Sequence, residues 1–119
     1  MNFQYLIVLC SCPDEGVATG IAAALVGEGL AACVNRLGAV RSTYAWEGEV
    51  RDDPEVLMLI KTRRARYPEL ELRLRALHPY ALPEIIALPV VEGSEAYLAW
   101  LGAASGGPNT PDAPSPPRT

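Results

Sequence analysis

An α+β fold built on one antiparallel sheet is what this chain of 119 residues predicts, and three observations predict it. Short apolar runs rich in Val and Ile alternate with stretches of helical spacing. Two strands follow one another across Trp46-Glu47-Gly48-Glu49, a hairpin turn in which Gly48 supplies φ > 0. The connector His78-Pro79-Tyr80-Ala81-Leu82-Pro83 then changes the pattern abruptly from helix to strand.

Each element has its own signal. Tyr5 to Cys10 is a short apolar run, the signature of a central strand. Pro13-Asp14-Glu15 opens a helix, with Pro in the first turn and acids near the positive end of the dipole. Val17, Ile21, Ala24, Leu25 and Glu28 share one face of it, and Gly29 ends it. A second strand begins at Ala31 to Val34 and continues over Val40 to Trp46, across an irregular Asn35-Arg36-Leu37-Gly38. Val50 to Lys61 returns as the third strand. Pro54 within it marks an edge or a bulge, because proline cannot donate to a ladder.

A second helix spans Tyr67 to Leu77, with Tyr67, Leu70, Leu74 and Leu77 inside and Arg66, Glu69, Arg73 and Arg75 outside. Pro79 drives His78 out of the α region and stops that helix. Glu84 to Val91 reads as a buried strand. Ser94, with Glu95 behind it, caps a short last helix through Tyr97, Leu98 and Leu101.

The order β-α-β-β-α-β plus a short C-terminal helix is the ferredoxin-like split βαβ arrangement, with both long helices on one face of the sheet. The second and third strands are longer than a small monomeric sheet uses, so their far ends, near Tyr44 to Asp53, project as a hairpin. Exposing Tyr44 and Trp46 there is costly, which predicts that another subunit covers them. The folded domain is residues 2–102. Residues 103–119 form a Gly/Pro/Ser-rich tail, expected to be disordered because it has too little apolar surface to offset its ordering entropy.

Bulk properties narrow the function. Half of the residues are apolar, enough for one core without disulfide staples. The net charge of −4 argues against nucleic acid, whose affinity comes from neutralised phosphates, and against an electrostatic membrane anchor. Three cysteines, an odd count, argue against a disulfide framework and for reduced thiols in the cytoplasm. No apolar stretch is long enough to span a bilayer, and Tyr5 to Cys10 is too short for a signal-peptide core. Gly27-Glu28-Gly29 sits at a helix end and makes no phosphate loop. A single histidine leaves little room for general-base chemistry, so the chain reads as non-enzymatic.

Several ordered segments together resemble the CutA family of divalent-cation tolerance proteins, over nearly all of residues 4–101. They are Leu77-His78-Pro79-Tyr80 running on to Pro83-Glu84-Ile85-Ile86-Ala87, and Ser42-Thr43-Tyr44-Ala45-Trp46-Glu47-Gly48. Leu30-Ala31-Ala32-Cys33-Val34-Asn35, Ile60-Lys61-Thr62-Arg63, and Glu92-Gly93 followed by Tyr97-Leu98-Ala99-Trp100 are similar to further family segments. The resemblance implies a homotrimer of ferredoxin-like subunits with strands paired across subunits, and a role in copper and divalent-metal tolerance. Its architecture is similar to the trimeric PII signalling proteins, which implies as alternatives a module binding a small molecule in its subunit clefts, or a structural trimer whose metal phenotype is indirect. Two positions depart from the family pattern: Ala81 stands where an acidic or polar residue is usual, and Leu77 stands where some metal-handling members carry a second histidine.

The resemblance places copper ligands at Cys10 and His78. Thiolate and imidazole suit copper or zinc, but two ligands make a weak site. Cys12, two residues on, lies on the same side as Cys10 if the strand extends that far, and can replace the missing histidine. The alternative is that Cys10 is a small buried hydrophobe and Cys12 merely precedes a helix. Cys33, in an apolar context, reads as an inert buried thiol. Tyr80, Glu84, Lys61 and Trp46 are the candidates for a cleft lining, with the connector of one subunit facing the hairpin of the next. Otherwise Glu84 and Lys61 are a plain charge pair and the aromatics pack an interface.

Overall fold

The period-2 pattern of Tyr5–Cys12 places Leu6, Val8, Cys10 and Cys12 on one side of strand β1, all buried. In the computed structural model, which describes residues 3–106, β1 is a central strand. It pairs antiparallel with β3 (Glu49–Arg63) on one side and with β4 (Ile86–Pro89) on the other. β2 (Cys33–Trp46) pairs antiparallel with the outer side of β3, giving the order β2-β3-β1-β4.

Helices α1 (Glu15–Gly27) and α2 (Tyr67–Leu77) supply the core partners of that face. Asp14 caps α1 by accepting from the Val17 amide at 2.8 Å. At the other end, Gly29 at φ 71° completes a Schellman turn, its amide bonded to the Val26 carbonyl and that of Leu30 to the Leu25 carbonyl. The buried face of α1 is Ala18, Ile21, Ala22 and Leu25. That is rotated slightly from the face expected, and Ala24 and Glu28 lie at its margin. Leu70 and Leu74 of α2 close the core over Val56, Met58 and Ile60 of β3.

The hairpin turn has Glu47 at φ 50° and Gly48 at φ 78°, the two left-handed residues of a type I′ connection that matches the strand twist. β2 is continuous through the irregular stretch. Leu37 pairs with Leu57 and Val40 with Glu55, so Gly38 and Ala39 face Val56 alone as a bulge, with Ala39 at φ 58°. Pro54 lies past the last β1–β3 pair, Cys12 with Val56, so at Pro54 β3 has a ladder only with β2. The missing donor costs nothing on that open edge.

Beyond this point β2 and β3 run on as a free two-stranded arm. Tyr44 is 40% and Trp46 44% exposed at its far end.

Two expectations are corrected. The last strand is paired only over Ile86–Pro89, and all four of those residues are exposed. It is an edge strand with one neighbour, and prolines at 83 and 89 bracket it. The final helix, α3 (Glu95–Ala104), extends past residue 102 and is closed by the Ser105 amide on the Leu101 carbonyl. The expected tail from residue 107 onward lies outside the described residues.

The sheet therefore has two unequal faces. One is sealed by α1 and α2. The other, opposite the helices, carries Ile7 and Leu9 beside Leu57 and Leu59, and the exposed Ile86 and Leu88 continue it onto β4.

Candidate functional site

β1 keeps its register through Cys12, and that extension decides the geometry of the site. Cys10 and Cys12, two apart on one strand, point the same way into the core. His78 arrives from the end of α2. It ends that helix at φ −78°, ψ 136°, the extended conformation that Pro79 demands. The ligand atoms of Cys10, Cys12 and His78 all lie within 4.8 Å of one another. Both thiols are fully buried and His78 is 7% exposed. All three cysteines are free, and Cys33 stands apart from the cluster; the expectation that it is a buried thiol is corrected, because at the start of β2 it is only half-buried.

The imidazole is held by backbone on both nitrogens. Nδ1 accepts from the Tyr80 amide at 3.1 Å, so Nε2 carries the proton and donates to the Ser11 carbonyl at 2.8 Å. His78 thus pins the connector to the end of β1, between the two cysteines. Its ring also meets that of Tyr80 at 4.8 Å between centroids.

The thiols are not equivalent. Cys10 is pushed far up, first by its hydrogen bond to Cys12, then by burial and by the charges of Glu84 and Glu55. The same bond draws Cys12 down, against burial and the acids Glu55 and Asp14. One contact thus pushes the two thiols in opposite directions. Two sulfurs and an imidazole are a soft donor set that fits copper. The three fall one short of a four-coordinate structural zinc site. To ligate, His78 must give up one of its backbone bonds.

On the other side of the connector, a groove of about 880 Å³ opens between Tyr80–Ile86 and the arm of β2 and β3. Tyr80, Glu84 and Trp46 line it in the single chain. Lys61 is not there. It sits in the body of the sheet, across from Ile7 and Cys33, and its ammonium bonds Asn35 Oδ1. The expected Glu84–Lys61 pair does not form.

The groove adds residues that sequence reasoning missed: Glu55, which accepts from the Tyr80 phenol at 3.0 Å, and Arg51. The hairpin could have revealed them, since a two-residue turn pairs Trp46 with Glu49 and so sets Tyr44 against Arg51.

Fold and cluster together define a four-stranded α+β protein with a soft-donor centre at the end of its central strand. The profile of the CutA1 divalent ion tolerance protein matches residues 6–104. The chain is 51% identical over 100 residues to the divalent-cation tolerance protein CutA of Thermus thermophilus, covering 84% of this chain and 97% of that one. A solved T. thermophilus divalent cation tolerance protein superposes with a TM-score of 0.85 at 50% identity, covering 87% of this chain and all of that one. The human protein CutA is 47% identical over 91 residues, 76% of this chain, and the match spans only about half of its length, 51%. The structure of a divalent cation tolerance protein CutA from Archaeoglobus fulgidus, described as periplasmic, matches at TM-score 0.80 and 32% identity, covering 82% of this chain and 95% of that one. The chain belongs to the CutA1 divalent ion tolerance family. Among the described residues no helix is long and apolar enough to cross a membrane.

Proposed function

We propose that this chain acts in copper tolerance as a cytoplasmic, non-enzymatic homotrimer that takes copper as cargo at Cys10 and Cys12, with His78 as the third donor. The observation that carries the reading is the cluster itself, three soft donors within 4.8 Å at the end of one strand. Cys12 stands in for the second histidine of the family pattern, because the strand continues far enough to bring its sulfur beside that of Cys10. Closure of the site from solvent suits retention of a reactive ion, and three free thiols suit a reducing compartment.

The trimer is supported by the open sheet face. Ile86, Leu88 and Val91 are 52%, 48% and 69% exposed in the single chain, and Val50 on the arm is 81% exposed. Surface of that size and kind on a soluble protein marks an interface. Light scattering of the reduced protein at micromolar concentration is expected to give three times the chain mass; a stable monomer removes the assembly. Anaerobic Cu(I) titration in competition with a coloured chelator is expected to give one ion per chain. Cys10→Ser and Cys12→Ser each weaken it, and Cys33→Ser leaves it unchanged. Equal affinity in all four proteins removes the site.

A further inference from the structure

The open sheet face and the arm meet other subunits in the proposed trimer, whereas the outer side of α1 and α2 faces away from them. On that side a groove of about 630 Å³ lies between the end of α1 and the first turns of α2. Leu72, 68% exposed, and Ala76 form one wall, and Leu30 and Gly27 the other. A Cβ at Gly27 would meet nothing within 4 Å among the described residues, so a chain can approach that wall closely. The charges at the rim are already paired. Glu28 accepts two bonds from Arg73, from Nε and Nη2 at 3.0 Å each, and Glu69 accepts from Arg66 at 2.9 Å. Such a surface fits an occupant with little charge and a regular apolar edge.

The point where the described chain ends lies close by. Arg63 donates to the Ser105 carbonyl at the end of α3, and the preceding residue, Thr62, donates to the carbonyl of Leu30 in the groove. Successive strand residues point to opposite faces, so exit and groove lie on either side of one end of the sheet. Two layer spacings, about 20 Å, separate them. The thirteen residues 107–119 reach about 40 Å as a polyproline II strand.

Their sequence has the edge that the groove lacks a partner for. Pro108, Pro111, Pro114 and Pro117 recur at every third position, and polyproline II has three residues per turn, so the four rings share one edge about 9 Å apart. The groove wall from Glu69 to Ala76 is about 10 Å long, the span of two such rings. Asp112 and Arg118 balance each other in charge. A proline-rich strand is also stiff before it docks, which lowers the entropy lost on docking.

We propose that residues 107–119 fold back over the end of the sheet and dock in the groove of their own chain, with Pro114 and Pro117 seated against Leu72. Residues 107–112 cover the distance around the sheet. The groove of the same chain is the nearest, because its floor and the exit are bonded to neighbouring residues of β3. No proposed copper ligand takes part, so the docking stands or falls separately from the metal reading.

The test places a nitroxide on Ser115→Cys in a Cys33→Ser background of the full-length, metal-free protein and reads amide signals by NMR. The Gly27, Leu72 and Ala76 amides are expected to lose their signals, and to regain them when the nitroxide is reduced. Leu72→Glu is expected to restore them. So is the pair Pro114→Ser and Pro117→Ser, at unchanged melting temperature. In trimers refolded from isotope-labelled chains without nitroxide and unlabelled chains with it, these amides are expected to keep their signals. No signal loss at the groove, loss confined to the open sheet face, or loss in the mixed trimers each overturns the proposal. Should Leu72→Glu fail to fold, the proline pair, which lies outside the folded domain, decides it.

Discussion

Replacing His78 by Ala removes the side chain that ties the connector to the central strand, and the structure sets the size of the effect. The Ser11 carbonyl, on a residue only 7% exposed, loses its strong donor and keeps only the weak contact of the Cys10 thiol at 3.9 Å. A buried acceptor left with no better partner than a long thiol contact costs about 1–3 kcal/mol. The Tyr80 amide loses its acceptor too, but Tyr80 is 39% exposed, so water can replace the bond. Loss of the ring contact with Tyr80 adds about 1 kcal/mol. The sum is a destabilisation of about 3 kcal/mol. Equilibrium unfolding in guanidinium at one fixed protein concentration measures it, as a lower midpoint at unchanged slope. His78→Asn, which keeps a donor and an acceptor, is expected to recover part of the loss. A change below about 0.5 kcal/mol in His78→Ala, the range of ordinary surface substitutions, would refute the claim that this imidazole is a structural pin.

Other expectations follow from the same geometry. Leu74→Ala, at a fully buried position of α2, is expected to cost about 2–5 kcal/mol in the same assay. Tyr80 is held up to about 12 against an ordinary value of 10.0. Across that interval the unfolded chain has lost the proton that the folded chain keeps, so stability falls as pH rises from about 10 to about 12. Tyr80→Phe is expected to flatten that part of a pH-melting curve, and an unchanged curve counts against the Glu55 contact. In the native, metal-free protein one thiol, Cys33, is expected to react readily with a disulfide reagent. Cys10 and Cys12 should lag about a hundredfold or more because they are closed to solvent. Three equally fast thiols would contradict the buried cluster.

Much of this was legible in the residues themselves. The helix start at Asp14, the stop imposed on His78 by Pro79 and the turn at Glu47-Gly48 are local events, and local chemistry announced them. The last strand was not legible in the same way. Ile85-Ile86-Ala87-Leu88 reads as buried because it is apolar, but only the sheet order shows that it is an edge with one neighbour. Its apolar character belongs to the open face. Cys10 and His78 came from a family pattern, whereas the place of Cys12 in the cluster turned on whether β1 continued two residues further. Lys61 and Glu84 read as partners in the sequence, but Lys61 lies within β3 and Glu84 in the connector before β4, and nothing in their spacing gives the register of β3 against β1. Glu55 escaped notice as the residue after Pro54, where the breaker drew attention from the alternation. That alternation places Glu55 on the groove face with Arg51 and Tyr44.

The most direct test of the account is a crystal structure of the reduced protein soaked with copper under anaerobic conditions. The account predicts a metal peak joining Cys10 Sγ, Cys12 Sγ and a His78 ring nitrogen, with the imidazole released from the Ser11 carbonyl or from the Tyr80 amide. Copper found only on surface carboxylates, with both backbone bonds of His78 intact and the thiols unchanged, would contradict it.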